Sequence, residues 1–344
     1  MINKSRTQLT DAALPVVGLV MTQKNEGALL PHNLAYHRYL GVSHFYIFDD
    51  GSSDDSMASI ADQAGVQQFW ETDYAIAPRE LAVTLMRAVS GNWIARQHLN
   101  TYKALQQARA DGVDWLLALD ADELVALENT ERDALRHLCA EASAATEVLY
   151  FQRTYEVLPQ TIAPPNVFRH ARLFKTPSYA YGRRRELLDP IHNKRFSLGF
   201  LSHITGKSLA RTSADLLPFS SHDFMKRNGK KVTVQTVGRL LHYHFYSAAD
   251  FINKNRLPHP DYFVYGGKVP YYPKLFWREL VQSGLSEAEL CAYFAKWLVF
   301  SPEEINELRN APVGSEPLVV EDRTVGCVWE KMDEPAVQEM EVAR

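Results

Sequence analysis

The stretch Asp114-Trp115-Leu116-Leu117-Ala118-Leu119-Asp120-Ala121-Asp122-Glu123 constrains this chain more than any other. A short apolar run without polar alternation is the pattern of a strand covered on both faces, and this one leads straight into three carboxylates. Such a strand belongs inside an open α/β sheet, whose ligand crevice lies beyond the carboxyl ends of its strands. The acids therefore fall where a ligand would sit. Carboxylate oxygens suit a hard divalent cation, and Mg²⁺ in particular is held by one or two carboxylates together with substrate phosphates. An acid-rich loop or helix start is the competing reading, and on this stretch alone the two stand level.

The residues ahead of it supply the rest of a sheet. Residues 14–21 are apolar and partly β-branched, and they end at Thr22-Gln23-Lys24-Asn25-Glu26-Gly27. Leu29, Leu34, His37 and Leu40 fall at helical spacing, with Gly41 placed as the cap. A second strand over 44–48 enters Asp49-Asp50-Gly51-Ser52-Ser53-Asp54-Asp55, whose side chains are suited to cap a helix over 56–64. Residues 66–70 read as a third strand. Residues 71–91 show no clean period and read as a connecting or lid-like segment, and 93–110 read as a helix stopped by Asp111-Gly112. This alternation predicts an α/β fold with a parallel sheet, which places the turns Asp49-Asp50 and Asp120–Glu123 at one edge. Within them Glu123, Asp54 and Asp55 read as helix-capping acids.

The 344 residues allow one large α/β domain with an extension, or two domains. A formal net charge of −4 argues against a general nucleic-acid-binding surface. Cys139, Cys291 and Cys327 are too scattered for a disulfide framework or zinc ribbon and point to a reducing, cytoplasmic setting. The apolar run 14–21 is too short and too late for a signal peptide, and no stretch approaches the length of a membrane span.

Beyond a helix near 131–140 and a strand over 147–154 the pattern changes. Arg169, Arg172, Lys175, Arg183, Arg184, Arg185, Lys194 and Arg195 are interleaved with aromatic residues. For most of them a solvated, loop-rich surface is the default reading, and a groove for an anionic or sugar-bearing partner is the functional one. Gly206-Lys207-Ser208 lacks the first glycine of a P-loop and lies far from the first strand, which rules out an NTPase reading. It still brings Lys207 and Arg211 near His222 and Asp223. Residues 240–246 alternate as a strand with His242 and His244 on one face, a spacing able to bind a metal and more often structural. Helices follow over 248–256, 272–283, 286–300 and 302–310, with aromatic packing surface and the option of a peripheral membrane contact. The last thirty residues lack periodicity and read as a loosely packed tail.

Acidic strand ends combined with later His, Lys and Arg residues can hold a metal-bound diphosphate. Departure of a nucleoside diphosphate from a sugar builds charge on the leaving phosphate that a divalent cation offsets, while a general base assists the attacking hydroxyl. At this point the residues reach a resemblance. VVGLVMTQKNEGALLPHNLAYHRYLGVSHFYIFDDGSSDDS together with WLLALDADELVAL resembles the family 2 type of GT-A nucleotide-sugar glycosyltransferases, in the bacterial branch similar to family 92. The match covers residues 14–126 well and continues more loosely through about residue 250.

The resemblance implies a GT-A, Rossmann-like, mostly parallel sheet with flanking helices and a helical C-terminal extension. Its divisions would be an N-terminal segment (1–13), a GT-A domain (14–250) with a nucleotide-binding half (14–126) and an acceptor half (127–250), and an extension and tail (251–344). It implies that Asp122 ligates Mn²⁺ or Mg²⁺ and that Asp120 reaches the ribose or a metal-bound water. Asp49 or Asp50 would face the nucleobase and ribose, with Thr22 and Glu26 lining the pocket and Arg96 and Lys103 contacting the donor. Lys207 and Arg211 would support the diphosphate. A later His completes the metal site, with His222 placed ahead of His242 and His244. Asp223, Glu186 and Asp189 are the candidates for the general base. The implied partners are a nucleotide-sugar donor and a glycan or glycolipid acceptor in surface polysaccharide or lipopolysaccharide synthesis, with inversion at the sugar carbon. A nucleotidyltransferase acting on a nucleoside triphosphate and a non-catalytic sugar-binding protein on the same fold remain as alternatives.

Overall fold

In a computed structural model, which describes residues 14–70, 93–176, 205–256, 272–310 and 319–334, the chain is a mixed α/β protein built on a ten-stranded sheet. One half of the sheet is parallel. Its strands β1 (Val17–Gln23), β2 (Val42–Asp49), β3 (Val66–Phe69) and β4 (Trp115–Ala118) lie in the order β4-β1-β2-β3. Their carboxyl ends therefore share an edge, with Gln23 level with Asp49 and Val20 level with Ala118.

Both faces of β1, β2 and β4 are covered, which is why their buried stretches read as apolar runs, whereas β3 at the edge is half-buried. Leu19, Phe45, Ile47, Trp115 and Leu117 face one core, against Leu30 and Leu34 of helix α1 (Leu30–Tyr39). The alternate residues Val20, Tyr46, Phe48 and Leu116 face a second core with Ala104, Leu105 and Ala108 of α2 (Trp93–Ala110). Gly41, at φ +104°, ends α1 as its spacing predicts, and Gly112, at φ +71°, follows α2.

The other half adds β5 (Glu123–Ala126), α3 (Ala134–Glu141), β6 (Val148–Val157), the short α4 (Val167–His170), β7 (Leu173–Lys175) and β8 (Lys207–Arg211). A separate hairpin, β9 (Leu216–Pro218) and β10 (Phe224–Lys226), precedes β11 (Val234–His242). Strand β8 runs antiparallel between β4 and β6, and β11 lies parallel to β6 and antiparallel to β5. Helices α5 (Ala248–Arg256), α6 (Tyr272–Gln282) and α7 (Glu287–Trp297) enclose an apolar cluster around Phe251, Trp277, Leu290 and Phe294. Then α8 (Pro302–Asn310), β12 (Val319–Glu321) and α9 (Thr324–Asp333) return to the sheet. Among the described residues no helix is long and apolar enough to cross a membrane.

Four expectations are corrected. Residues 56–64 form only a short 3₁₀ turn (Ala58–Ile60), because Asp54 accepts bonds from Gly27 N, Ser56 N and the Ser56 hydroxyl, side-chain bonding that competes with helix. Glu123 caps no helix: it opens β5 and is fully buried. Strand β11 ends at His242, so His244 stands beyond it, in a turn where Phe245 takes φ +54°. Residues 319–334 are no loose tail, since Val325, Val328 and Trp329 join the main core.

Candidate active site

At the shared carboxyl edge, β4 ends and the chain turns through Asp120-Ala121-Asp122 into β5. The turn is pinned from α1. Asn33 Nδ2 donates to the carbonyls of Ala121 and Glu123 at 2.9 and 2.8 Å, while Asn33 Oδ1 lies 2.8 Å from His37 Nδ1. Asp120 N donates to Glu123 Oε2 at 2.9 Å, closing the turn on itself.

The two aspartates then face different surroundings. Asp120 Oδ2 accepts from Lys207 Nζ at 2.7 Å and Oδ1 from Gln97 Nε2 at 2.8 Å. The same ammonium lies 3.2 Å from Glu123 Oε2 and is almost wholly buried. Burial disfavours its charge, yet Asp120 and Glu123 hold the Lys207 pKa above the ordinary lysine range. Burial likewise pushes Asp120 up, against the pull of Lys207. Asp120 and Lys207 line a small cleft with Thr22, Gln97, Thr101 and Ser221. Thr22 is oriented there by a 3.1 Å bond from Asn100 Nδ2.

Asp122 lies on the other side of the turn, with His242 and His244. One potential ligand atom from each of these three residues falls within 4.8 Å of the others, the one such group of three or more among the described residues. Strand pairing sets His242 level with Glu123 on β5 and Glu156 on β6, and Tyr243 N donates to Asp122 O at 2.8 Å. Asp122 Oδ2 is 3.2 Å from His242 Nε2 and accepts from Lys254 Nζ of α5 at 2.6 Å. Burial opposes ionisation of Asp122, but Lys254 and then His242 override it and keep the carboxyl well below the usual range. Desolvation of His242 is likewise outweighed, chiefly by Asp122, so its pKa is raised. Lys254 also pairs with Asp250 at 3.2 Å and Glu26 at 3.9 Å, and burial pushes both of those carboxyls up despite the ammonium. Five carboxylates thus share two ammonium groups at this edge. One carboxylate and two imidazoles suit a first-row transition-metal dication better than Mg²⁺, which prefers oxygen donors.

The structure places the remaining residues singled out in the sequence as follows. Asp49 has its oxygens engaged by Gln23 Nε2, Gly51 N and Ser52 N, so it holds the turn. Asp50 receives a two-bond clasp from Arg96 of α2, at 2.5 and 2.7 Å, and Lys103 lies two turns farther along that helix. His222 is not in the group formed by Asp122, His242 and His244; its Nδ1 lies 2.9 Å from Gly206 O. Arg211 is at the far end of β8, level with Trp115, where its guanidinium stacks over that ring and bonds the carbonyls of Thr146 and Ser143; it is not at the cleft. Asp223 stands in the β9–β10 turn beside Ser221, its carboxyl raised by burial against a bond from Ser220. Of the basic stretch, Arg169 pairs with Asp333, Arg172 bonds backbone carbonyls and Lys175 pairs with Glu156 inside the protein. Glu186 and Asp189 lie outside the described residues, as do Arg183–Arg185, Lys194 and Arg195. Sequence reasoning missed Asn33, Gln97, Asp250 and Lys254. Lys254 and Asp250 are an i,i+4 pair on a helix, a common surface pattern that carries no signal of a site.

No family model matches the chain. Two glycosyltransferase-like proteins of Arabidopsis thaliana are similar to it. One is 26% identical over 244 residues, covering 64% of this chain and 51% of its own; the other is 23% identical over 242 residues, covering 64% and 45%. The chain thus spans about half the length of the curated relatives it matches. Among solved structures, S. aureus TarS 1–349 in complex with UDP is 12% identical, with a TM-score of 0.33 over 82% of this chain and 70% of that one. Glucosyl-3-phosphoglycerate synthase from Mycobacterium tuberculosis, in complex with Mn²⁺ and UDP-glucose, is 14% identical, with a TM-score of 0.27 over 42% of this chain and 44% of that one. Structural likenesses this slight establish neither activity nor ligand. What the comparisons establish is similarity, over nearly two thirds of the chain, to proteins described as glycosyltransferase-like.

Proposed function

We propose that this chain is a glycosyltransferase that moves a sugar from a nucleotide-sugar donor to an acceptor hydroxyl with the help of a divalent cation. The observation that carries the reading is the convergence of Asp122, His242 and His244 beside the Asp120–Lys207 cleft, at the carboxyl edge of a parallel sheet. The glycosyltransferase-like relatives support it. Asp122, His242 and His244 would hold the cation, Mn²⁺ ahead of Mg²⁺ on their donor chemistry. When bound, such an ion offsets the charge that develops on a departing diphosphate.

The other roles belong to the chain's own side chains. Asp120, fixed by Lys207 and Gln97, presents its carboxylate to donor hydroxyls at the cleft. Lys207 acts through Asp120 and Glu123, because its ammonium is committed to them. Thr22 and the Asp50–Arg96 pair border the nucleotide side, with Glu26 beside Asp122. Asp223, whose raised carboxyl favours proton uptake, is our choice of base for the acceptor hydroxyl of a glycan or glycolipid. A single base assisting the acceptor hydroxyl would go with a single displacement and inversion. The resemblance of residues 14–126 is what favours a place for the reaction in surface polysaccharide or lipopolysaccharide synthesis.

Calorimetry with nucleoside diphosphates and nucleotide sugars, with Mn²⁺ and with chelator, tests the reading on wild type and Asp122→Ala. Metal-dependent binding that disappears in the variant is expected. Binding indifferent to both metal and Asp122 would overturn it, and pyrophosphate release from a nucleoside triphosphate would assign a nucleotidyltransferase instead.

A further inference from the structure

Lys254 takes a place that a metal site does not ordinarily give to a lysine. Its ammonium lies 2.6 Å from Asp122 Oδ2, the same oxygen that His242 Nε2 approaches at 3.2 Å. An ammonium has no lone pair and cannot ligate a metal. A dication bound to that oxygen stands about 2 Å from it, so Lys254 as placed would lie within a few ångströms of a double positive charge. With the dication there, repulsion between the two positive charges works against Lys254 keeping that oxygen. The surroundings of Lys254 offer it another seat: Asp250, one turn back on α5, is 3.2 Å away, and Glu26 is 3.9 Å away. Lysine is a compact charge on a flexible four-carbon stem, so a swing of its end exchanges these partners without moving the helix. The side chain is 20% exposed, so its head is not sealed in.

Resting on the cation reading of the Asp122 site, we propose that Lys254 is the resident counter-ion of Asp122, displaced onto Asp250 and Glu26 when a divalent cation binds. In the metal-free protein it neutralises Asp122 and keeps that carboxylate aimed at His242 and His244. Its removal therefore has two opposite consequences. The metal-free site loses its compensation, and the cation loses its competitor. Structural damage alone weakens metal binding; loss of a competitor strengthens it, and this sign separates the two.

The test is Mn²⁺ binding, followed by loss of the free-ion electron paramagnetic resonance signal and by calorimetry, on wild type, Lys254→Met, Lys254→Gln, Lys254→Arg and Asp122→Asn. Lys254→Met is expected to bind Mn²⁺ about tenfold more tightly than wild type, since one unit charge beside a dication is removed. Lys254→Gln, which keeps a donor for Asp122 should the methionine variant fail to fold, is expected to shift the same way. Lys254→Arg keeps the charge and is expected to show no gain, and Asp122→Asn to abolish binding. Mn²⁺ bound by wild type through Asp122, with affinity unchanged or weakened in both neutral variants, overturns the counter-ion role alone. Absence of Mn²⁺ binding in every protein overturns the cation reading of the site, and this role with it.

Discussion

Asn33 has no acid–base chemistry, yet it decides where Asp122 stands. Its amide donates to the two carbonyls that flank Asp122 in the chain, and all of these groups are buried. Leaving a buried carbonyl without its donor costs about 1–3 kcal/mol. Asn33→Ala removes the donor from two carbonyls, so we expect a loss of about 2–4 kcal/mol in urea unfolding, accompanied by weaker Mn²⁺ binding. Asn33→Asp is expected to be no better, because it turns an acceptor toward two acceptors. Unchanged stability and metal affinity in Asn33→Ala would show that the turn is held by its own Asp120–Glu123 bond. None of this was visible in the sequence, where Asn33 is one polar residue within a helical pattern. Its partners lie 88 and 90 residues away. Asp122 and the two histidines stand out in the sequence for the opposite reason, since carboxylates at the end of an apolar run and imidazoles two apart are noticed locally, but local spacing does not say which histidine meets Asp122.

Among the elements, those that local pattern specifies were legible, and those held by partners were not. Strands β1, β2 and β4 and helix α2 carry their own apolar signatures, and α2 runs over the very residues its periodicity predicts. Strand β5 has only four residues and opens on Glu123, a poor strand signal, and it exists because β11 pairs with it. Helix α5 was legible as a helix but not as part of a site, since its contact with Asp122 spans 132 residues. That contact depends on packing. Phe251 is fully buried among Phe245, Trp277 and Phe294, and Asp250 accepts from the Phe245 backbone N–H, so one aromatic cluster seats both Lys254 and the turn bearing His244. Phe251→Ala is expected to destabilise the protein by about 3–5 kcal/mol, as for other buried Phe truncations, and to weaken Mn²⁺ binding although it touches no ligand. Phe251→Leu, which keeps most of the volume, is expected to recover much of both. Metal affinity indifferent to Phe251→Ala, in protein shown to be folded, would mean that the site does not depend on the helical cluster.

Across the molecule, both helical layers of the parallel half contain a histidine kept neutral by burial. His37 of α1 and His98 of α2 are each pushed down to about 4, chiefly by loss of water, and Nε2 of each is buried without a hydrogen-bond partner among the described residues. An unfolded chain protonates the same groups near pH 6.5, so between those values the unfolded state binds more protons than the native one. Stability then falls as pH drops from about 6.5 toward 4, and is unaffected by these groups above that window. At pH 5 each histidine is expected to have lowered stability by about 2 kcal/mol relative to pH 7, since one pKa unit corresponds to about 1.4 kcal/mol. The raised carboxyls Glu26, Asp120 and Asp250 act in the opposite sense, because the native state holds their protons more tightly as pH falls. The wild-type curve alone therefore mixes two signs, and a difference measurement is needed. Urea unfolding of wild type, His37→Gln and His98→Gln at pH 7 and pH 5 isolates the histidines: any packing penalty of the variants is common to both pH values, whereas the proton-linked part appears only at the lower one. Each variant is expected to regain about 2 kcal/mol on wild type between pH 7 and pH 5, and a gap that stays constant would show that the native protein accepts the proton on that ring.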